Sequence, residues 1–167
     1  MKLRLTALST LAIAAALSAV PGLCVAAPTD SEVQSITAAR VEYVSAKRSI
    51  DREDYDTALG ALKSAERLDP KSADVQNMLG FTYRQKGDLD RAIQHYNRAL
   101  ELNPYHRGAH EYLGRVYLMM GKPEKAKALL ANLERVCTDK CPERDSLKLA
   151  IDEWDPWKNP ARAARSY

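Results

Sequence analysis

The chain is poor in several things that carry chemistry. Its 167 residues include one phenylalanine, two tryptophans, three cysteines and three histidines. Three histidines and three cysteines leave little from which to build a catalytic or metal centre. His106 and His110 have metal-ligand spacing on a helix. The residues between them, Arg107, Gly108 and Ala109, contain no general base. No nucleophile–base–acid set stands out, so the expectation is no enzyme, no cofactor and no metal site. An excess of one charge is missing as well. The formal charge is +3, from 25 basic and 22 acidic side chains. Nothing in that balance suggests a nucleic-acid partner.

Long apolar runs are absent except at the start. Met1 to Arg4 is basic, Leu5 to Val20 is apolar and uncharged, Pro21-Gly22 breaks the run, and Val25-Ala26-Ala27 supplies small residues. This is the pattern of a secretory signal peptide. At the short end of bilayer-spanning length, the run reads as cleaved rather than retained, with cleavage expected after Ala26. Leu23 before Cys24 does not suit lipid modification. Loss of the leader brings the charge near +1 and leaves Cys137 and Cys141. In an exported chain two cysteines read as one disulfide. A turn over Thr138-Asp139-Lys140 is expected between them, because residues four apart on one helix are badly placed for a bridge. The expected location is periplasmic or secreted.

What the chain does have is a period. Ala58, Ala92 and Ala126 recur at 34 residues, as do Gly80 and Gly114, Tyr83 and Tyr117, Ala65 and Ala99, and Pro70 and Pro104. A period near 34 marks stacked helix–turn–helix units. Each unit hides its apolar face against the next. Small residues at Gly80, Gly114, Ala92, Ala126 and Ala99 let helices approach, and Leu79, Tyr83, Tyr96, Leu113 and Tyr117 fill the space between them. Gly87-Asp88 and Gly121-Lys122-Pro123 separate paired helices. Asp69-Pro70 and Asn103-Pro104 end units. The spacing predicts helices over 32–52, 55–68, 73–86, 89–102, 108–120, 123–136 and 142–154.

The segment from Gln76 to Pro104 resembles the tetratricopeptide repeat, with Leu79, Gly80, Tyr83, Ala92, Tyr96, Ala99 and Pro104 at that family's positions. Gln76 departs from the aromatic that opens the motif. A second copy carries Leu113, Gly114, Tyr117 and Ala126. A weaker first copy carries Ala46, Ala58, Leu62, Ala65 and Pro70, with Ser45 and Ser49 in place of Leu and Tyr. The resemblance implies an all-α fold: three repeats stacked as a short right-handed solenoid with a C-terminal capping helix. The expected divisions are a signal peptide over 1–26, an N-terminal extension over 27–38 leading into the first repeat helix, and repeats over 39–72, 73–106 and 107–140. A capping helix over 141–155 and a disordered tail over 156–167 follow. Leu147, Leu149, Ala150, Ile151 and Trp154 supply the cap's apolar residues, and Trp157 either folds back on the cap or anchors a partner.

By the same resemblance the first helix of each unit lines a concave groove. Its positions are Tyr43 and Lys47, then Asp74, Asn77, Phe81 and Arg84, then Glu111, Tyr112 and Arg115. The groove implies a binding partner, another exported protein or peptide with some acidic character, received by Phe81 beside Lys47, Arg84 and Arg115. The alternative for Phe81 is packing between adjacent first helices. The Lys/Asn pattern by which one variant of the family grips a terminal carboxylate is not met, since those places hold Tyr43, Lys47, Asn77 or Met78, Gly108 and Tyr112. An assembly factor for an envelope or respiratory complex fits this reading. A second class, thiol-redox or copper handling, rests on Cys137 and Cys141, whose Cys-x-x-x-Cys-Pro run superficially resembles that of thioredoxin-fold copper-delivery proteins. Two soft thiolates suit Cu(I), but that family's strand–loop–helix setting and distant histidine are not recognisable in this chain.

Overall fold

The computed structural model describes residues 29–155. The leader, Cys24, the tail and Trp157 lie outside that range. Seven helices and no strands are found among the described residues: α1 (Asp30–Asp51), α2 (Tyr55–Leu68), α3 (Ala73–Gln85), α4 (Leu89–Leu102), α5 (Arg107–Met119), α6 (Pro123–Val136) and α7 (Pro142–Asp152). Sequence neighbours pair as hairpins, α1 with α2, α3 with α4 and α5 with α6. Each hairpin stacks on the next through α2–α3 and α4–α5, and α7 closes the stack against α5 and α6.

The period that sets the helices also sets their ends. Asp54 and Asp88 cap α2 and α4, accepting from the Thr57 and Arg91 amides at 3.1 and 3.0 Å. Such caps satisfy amides that the first turn leaves without partners. Proline takes over the first turn of α6 and α7, where a missing N–H costs nothing. The turn inside each hairpin passes through one left-handed residue. It is Gly87 (φ 80°) and Gly121 (φ 70°) in the second and third hairpins and Glu53 (φ 60°) in the first. Glu53 is the repeat-equivalent of the two glycines, and its side chain makes this conformation costly.

α1 starts at Asp30, two residues before the expected start and well inside the expected extension. Thr29 and Glu32 form a capping box there: the Glu32 amide donates to Thr29 Oγ1 at 3.3 Å, and the Thr29 amide donates to Glu32 Oε2 at 2.8 Å.

The core follows the small-against-large rule. Leu62, Leu79, Tyr96, Leu133 and Leu147 are fully buried. A Cβ added to Gly80 would lie 2.7 Å from Tyr96 Cδ1, and one added to Gly114 would lie 2.7 Å from Leu147 Cδ1. The first contact sets the spacing of α3 and α4, and the second seats α7 on α5. The Trp154 indole donates to the Leu118 carbonyl at 3.1 Å, holding the end of the cap. Leu149 does not join the core. It is 57% exposed, on the side of α7 facing away from the stack.

Gln76, where the motif's aromatic is missing, is buried and fully engaged. Its Nε2 donates to Glu66 at 2.8 Å, and its Oε1 accepts from His95 Nδ1 at 2.8 Å. His110, one repeat later, is buried too and donates from Nε2 to the Pro104 carbonyl at 2.9 Å. Burial holds both imidazoles below their ordinary pKa.

Candidate functional site

The first helices of the three hairpins, α1, α3 and α5, contribute the nine expected groove residues. The structure sorts them into distinct groups. Tyr43 and Lys47, one turn apart on α1, sit with the ammonium 5.9 Å from the ring centroid. Burial, and after it the Asp74 carboxylate, push the Tyr43 hydroxyl pKa up. Phe81 and Tyr112 meet across α3 and α5 with centroids 5.6 Å apart at 55°. The Arg84 guanidinium lies over both rings, at 5.1 and 5.3 Å. All three of these side chains are half-buried. Phe81 therefore does both things that the sequence left open: it packs between first helices and it remains partly on the surface.

Arg84 is the cation of this group. No carboxylate pairs with it among the described residues, and its Nε is buried without a hydrogen-bond partner. Two aromatic faces hold the guanidinium flat through cation–π contact. A planar cation fixed in this way is prepared for two-pronged contact with a carboxylate.

Arg115 belongs elsewhere. Its Nε donates to Glu111 Oε1 at 3.1 Å, and its terminal nitrogen donates to the Ser146 hydroxyl at 2.6 Å. Ser146 in turn donates to Glu111 at 2.6 Å. Glu111 is buried, so this triangle ties α5 to α7. The expected cationic trio is thus reduced to Lys47 and Arg84. Ser146 was out of reach of sequence reasoning, since its role depends on how α7 docks.

Asp74 is engaged from α5. His106 caps α5 by accepting the Ala109 amide at Nδ1 (3.0 Å), which leaves Nε2–H to donate to Asp74 Oδ1 at 3.0 Å. That use of both ring nitrogens explains a histidine at an N-cap, which the metal-spacing reading does not. Asn77 is buried, with its amide nitrogen 3.4 Å from the place a Gly108 Cβ would take.

Cys137 and Cys141 are 5.9 Å apart at Cα, with their sulfurs within bonding reach. They flank the expected turn between α6 and α7, and both are buried. No cluster of three or more His, Cys, Asp or Glu side chains suited to a metal ion occurs among the described residues.

Hairpins stacked in sequence order at a constant period define a helical-repeat protein whose first helices form one continuous wall. The model of the tetratricopeptide repeat matches residues 73–106. Solved structures with the same fold include MamA (TM-score 0.57, 24% identity, 62% of this chain and 61% of that one). They also include the first such domain of Spaghetti (RPAP3) bound to the HSP90 peptide SRMEEVD (0.64, 18%, 71% and 93%). The domain of Arabidopsis OM64 is a further case (0.63, 11%, 70% and 96%). An uncharacterized protein of Methanocaldococcus jannaschii is 32% identical over 57 residues, 34% of this chain and 66% of that protein. This chain thus spans less than two thirds of that relative and of MamA. Residues 73–106 thus form a tetratricopeptide repeat, and the described fold is that of the solved tetratricopeptide-repeat domains. Proteins of this kind are generally interaction modules without catalytic activity. No described helix is long and apolar enough to cross a membrane.

Proposed function

We propose that this protein binds an acidic segment of a partner protein along the wall of α1, α3 and α5, with Arg84 as the principal contact. The observation that carries this reading is Arg84 itself: stacked on Phe81 and Tyr112, without an ion-pair partner among the described residues, on an accessible wall. On the same wall the Tyr43 ring, with the Lys47 ammonium 5.9 Å from its centroid, extends the aromatic surface. Two solved domains of this fold hold the acidic HSP90 peptide SRMEEVD, which shows that the architecture accommodates such a segment. The leader-like start of the chain supports an exported setting, and with it a periplasmic or secreted partner. An assembly role for an envelope or respiratory complex is the form of this activity best suited to a small binding module.

The double variant Phe81→Ala/Arg84→Glu tests the reading. It leaves helicity unchanged and abolishes co-purification of the partner from an envelope extract. Co-purification at the wild-type level removes the wall as the binding site. The second reading, thiol or copper handling, draws on the two sulfurs held side by side at the α6–α7 turn. A thiol titration with copper analysis separates the two. Sulfurs inert to mild reductant favour the binding module, whereas labile thiols or bound copper favour the second reading.

A further inference from the structure

The two ends of the stack differ. At the C-terminal end α7 covers the last hairpin. At the N-terminal end no described residue covers the outer face of α1: Val33 is 48% exposed, Ile36 51%, Val41 65% and Val44 41%. The repeat shows what this face is. A shift of 34 residues carries Val41, Val44 and Ser45 onto Val75, Met78 and Leu79 of α3, the helix that packs against α2. Val75 and Leu79 are buried there, and Met78 packs against the core. α1 therefore presents a stacking face with no described element on it.

We infer that a second copy of this chain covers the face, with two α1 helices packed antiparallel about a twofold axis. The reason is the order of residues along the stripe. Asp30, Val33, Ile36, Thr37, Arg40, Val41, Val44 and Lys47 all lie on the exposed side of α1, and they are placed symmetrically about a point between Ala38 and Ala39. In an antiparallel pair centred between Ala38 and Ala39, Val33 meets the second copy's Val44, Asp30 meets its Lys47, and Thr37 meets its Arg40. Apolar residues face apolar ones, an acid faces a base, and a hydroxyl faces a long cation. Twofold symmetry repeats each match. Ile36 and Val41 flank the seam. Arg40 is the poorest fit, and its length lets the guanidinium reach solvent beside the seam. The contact runs from Asp30 to Lys47, about 27 Å at 1.5 Å per residue. A seam of that length stands at the low end of specific interfaces, and its size alone does not set its affinity.

Sedimentation equilibrium on the full chain, with its own N-terminus, tests this between ~1 and ~200 µM. The wild type shifts from monomer to dimer across that range and stops at two. Val44→Asp stays monomeric, with unchanged circular dichroism as a check on folding. Asp30→Lys weakens association at least ~10-fold, a loss of ~1.4 kcal/mol, and Asp30→Lys/Lys47→Asp restores it. Failure of the exchanged pair to restore dimers overturns the register. A wild type that is monomeric throughout, as when residues 1–28 or another protein take the face, overturns the proposal. So does a mass that climbs past two copies, which signals end-to-end stacking of α1 on α7.

Discussion

Two glycines on neighbouring helices should answer the same substitution with opposite signs. Gly80 lies in α3 against Tyr96, and a methyl there would sit 2.7, 2.8 and 3.0 Å from three ring carbons. Tyr96 is fully buried with its ring beside Tyr112, so it cannot swing away. Overpacking of this kind costs about 1–3 kcal/mol. Replacing a helical glycine by alanine returns about 0.8–1.0 kcal/mol. Gly80→Ala is therefore between neutral and ~2 kcal/mol destabilising. Gly60, exposed in α2, has no atom within 4 Å of the new carbon. Gly60→Ala keeps the propensity gain of about 1 kcal/mol. For a chain of this size ~1 kcal/mol moves Tm by about 2–4 °C. Thermal unfolding followed at 222 nm, at one protein concentration, should place the two variants about 2–12 °C apart, with Gly60→Ala above wild type. If both variants raise Tm equally, the close approach of α3 to Tyr96 is wrong, and with it the packing rule of the stack.

Glu53 should be improved by substitution. Its left-handed backbone costs roughly 1–2 kcal/mol, and glycine gives back about 0.4–1 kcal/mol of that through its freer unfolded chain. The net gain is ~0–1.6 kcal/mol, so Glu53→Gly should raise Tm by up to ~6 °C, and a fall in Tm contradicts the turn geometry. Acid should weaken the fold in two stages. His95 and His110 are held neutral by burial, while the unfolded chain takes up their protons near pH ~6.5. Their contribution is complete above that pH and is lost as pH falls through the depressed folded values. Asp54 and Asp88, lowered chiefly by the Thr57 side chain and the Arg91 amide respectively, add a separate loss below pH ~4. A urea midpoint measured from pH 8 to 5 should fall in wild type and stay nearly flat in His95→Gln/His110→Gln. Equal slopes in the two proteins refute the first stage.

The repeat was legible because its signals are local and periodic. A glycine or proline at a turn and an alanine at a close approach act through a few neighbouring residues. α2, α4 and α6 accordingly begin and end where the spacing places them. α1 begins early because Thr29 and Glu32 cap it reciprocally, a local signal that was present and went unread. Other features depend on how distant helices dock. Arg115 has the look of a groove cation until α7 brings Ser146 to it across 31 residues. Leu149 has the look of a core residue until the docking of α7 turns it outward. Glu53 could have been found by carrying Gly87 back one period. The wall illustrates the same limit: the positions of Phe81, Arg84 and Tyr112 follow from the repeat, whereas the stacking of one cation on two rings requires the spacing of α3 from α5.

The account depends most on where the partner touches. A benzophenone amino acid placed at Phe81 on the wall, and in a separate protein at exposed Arg98 on α4, reports that position directly when cells are irradiated. The wall position should yield one strong crosslinked species that disappears when Arg84→Glu is added, and the α4 position should yield none. A species that forms from α4 and not from the wall, or one indifferent to Arg84→Glu, contradicts the account.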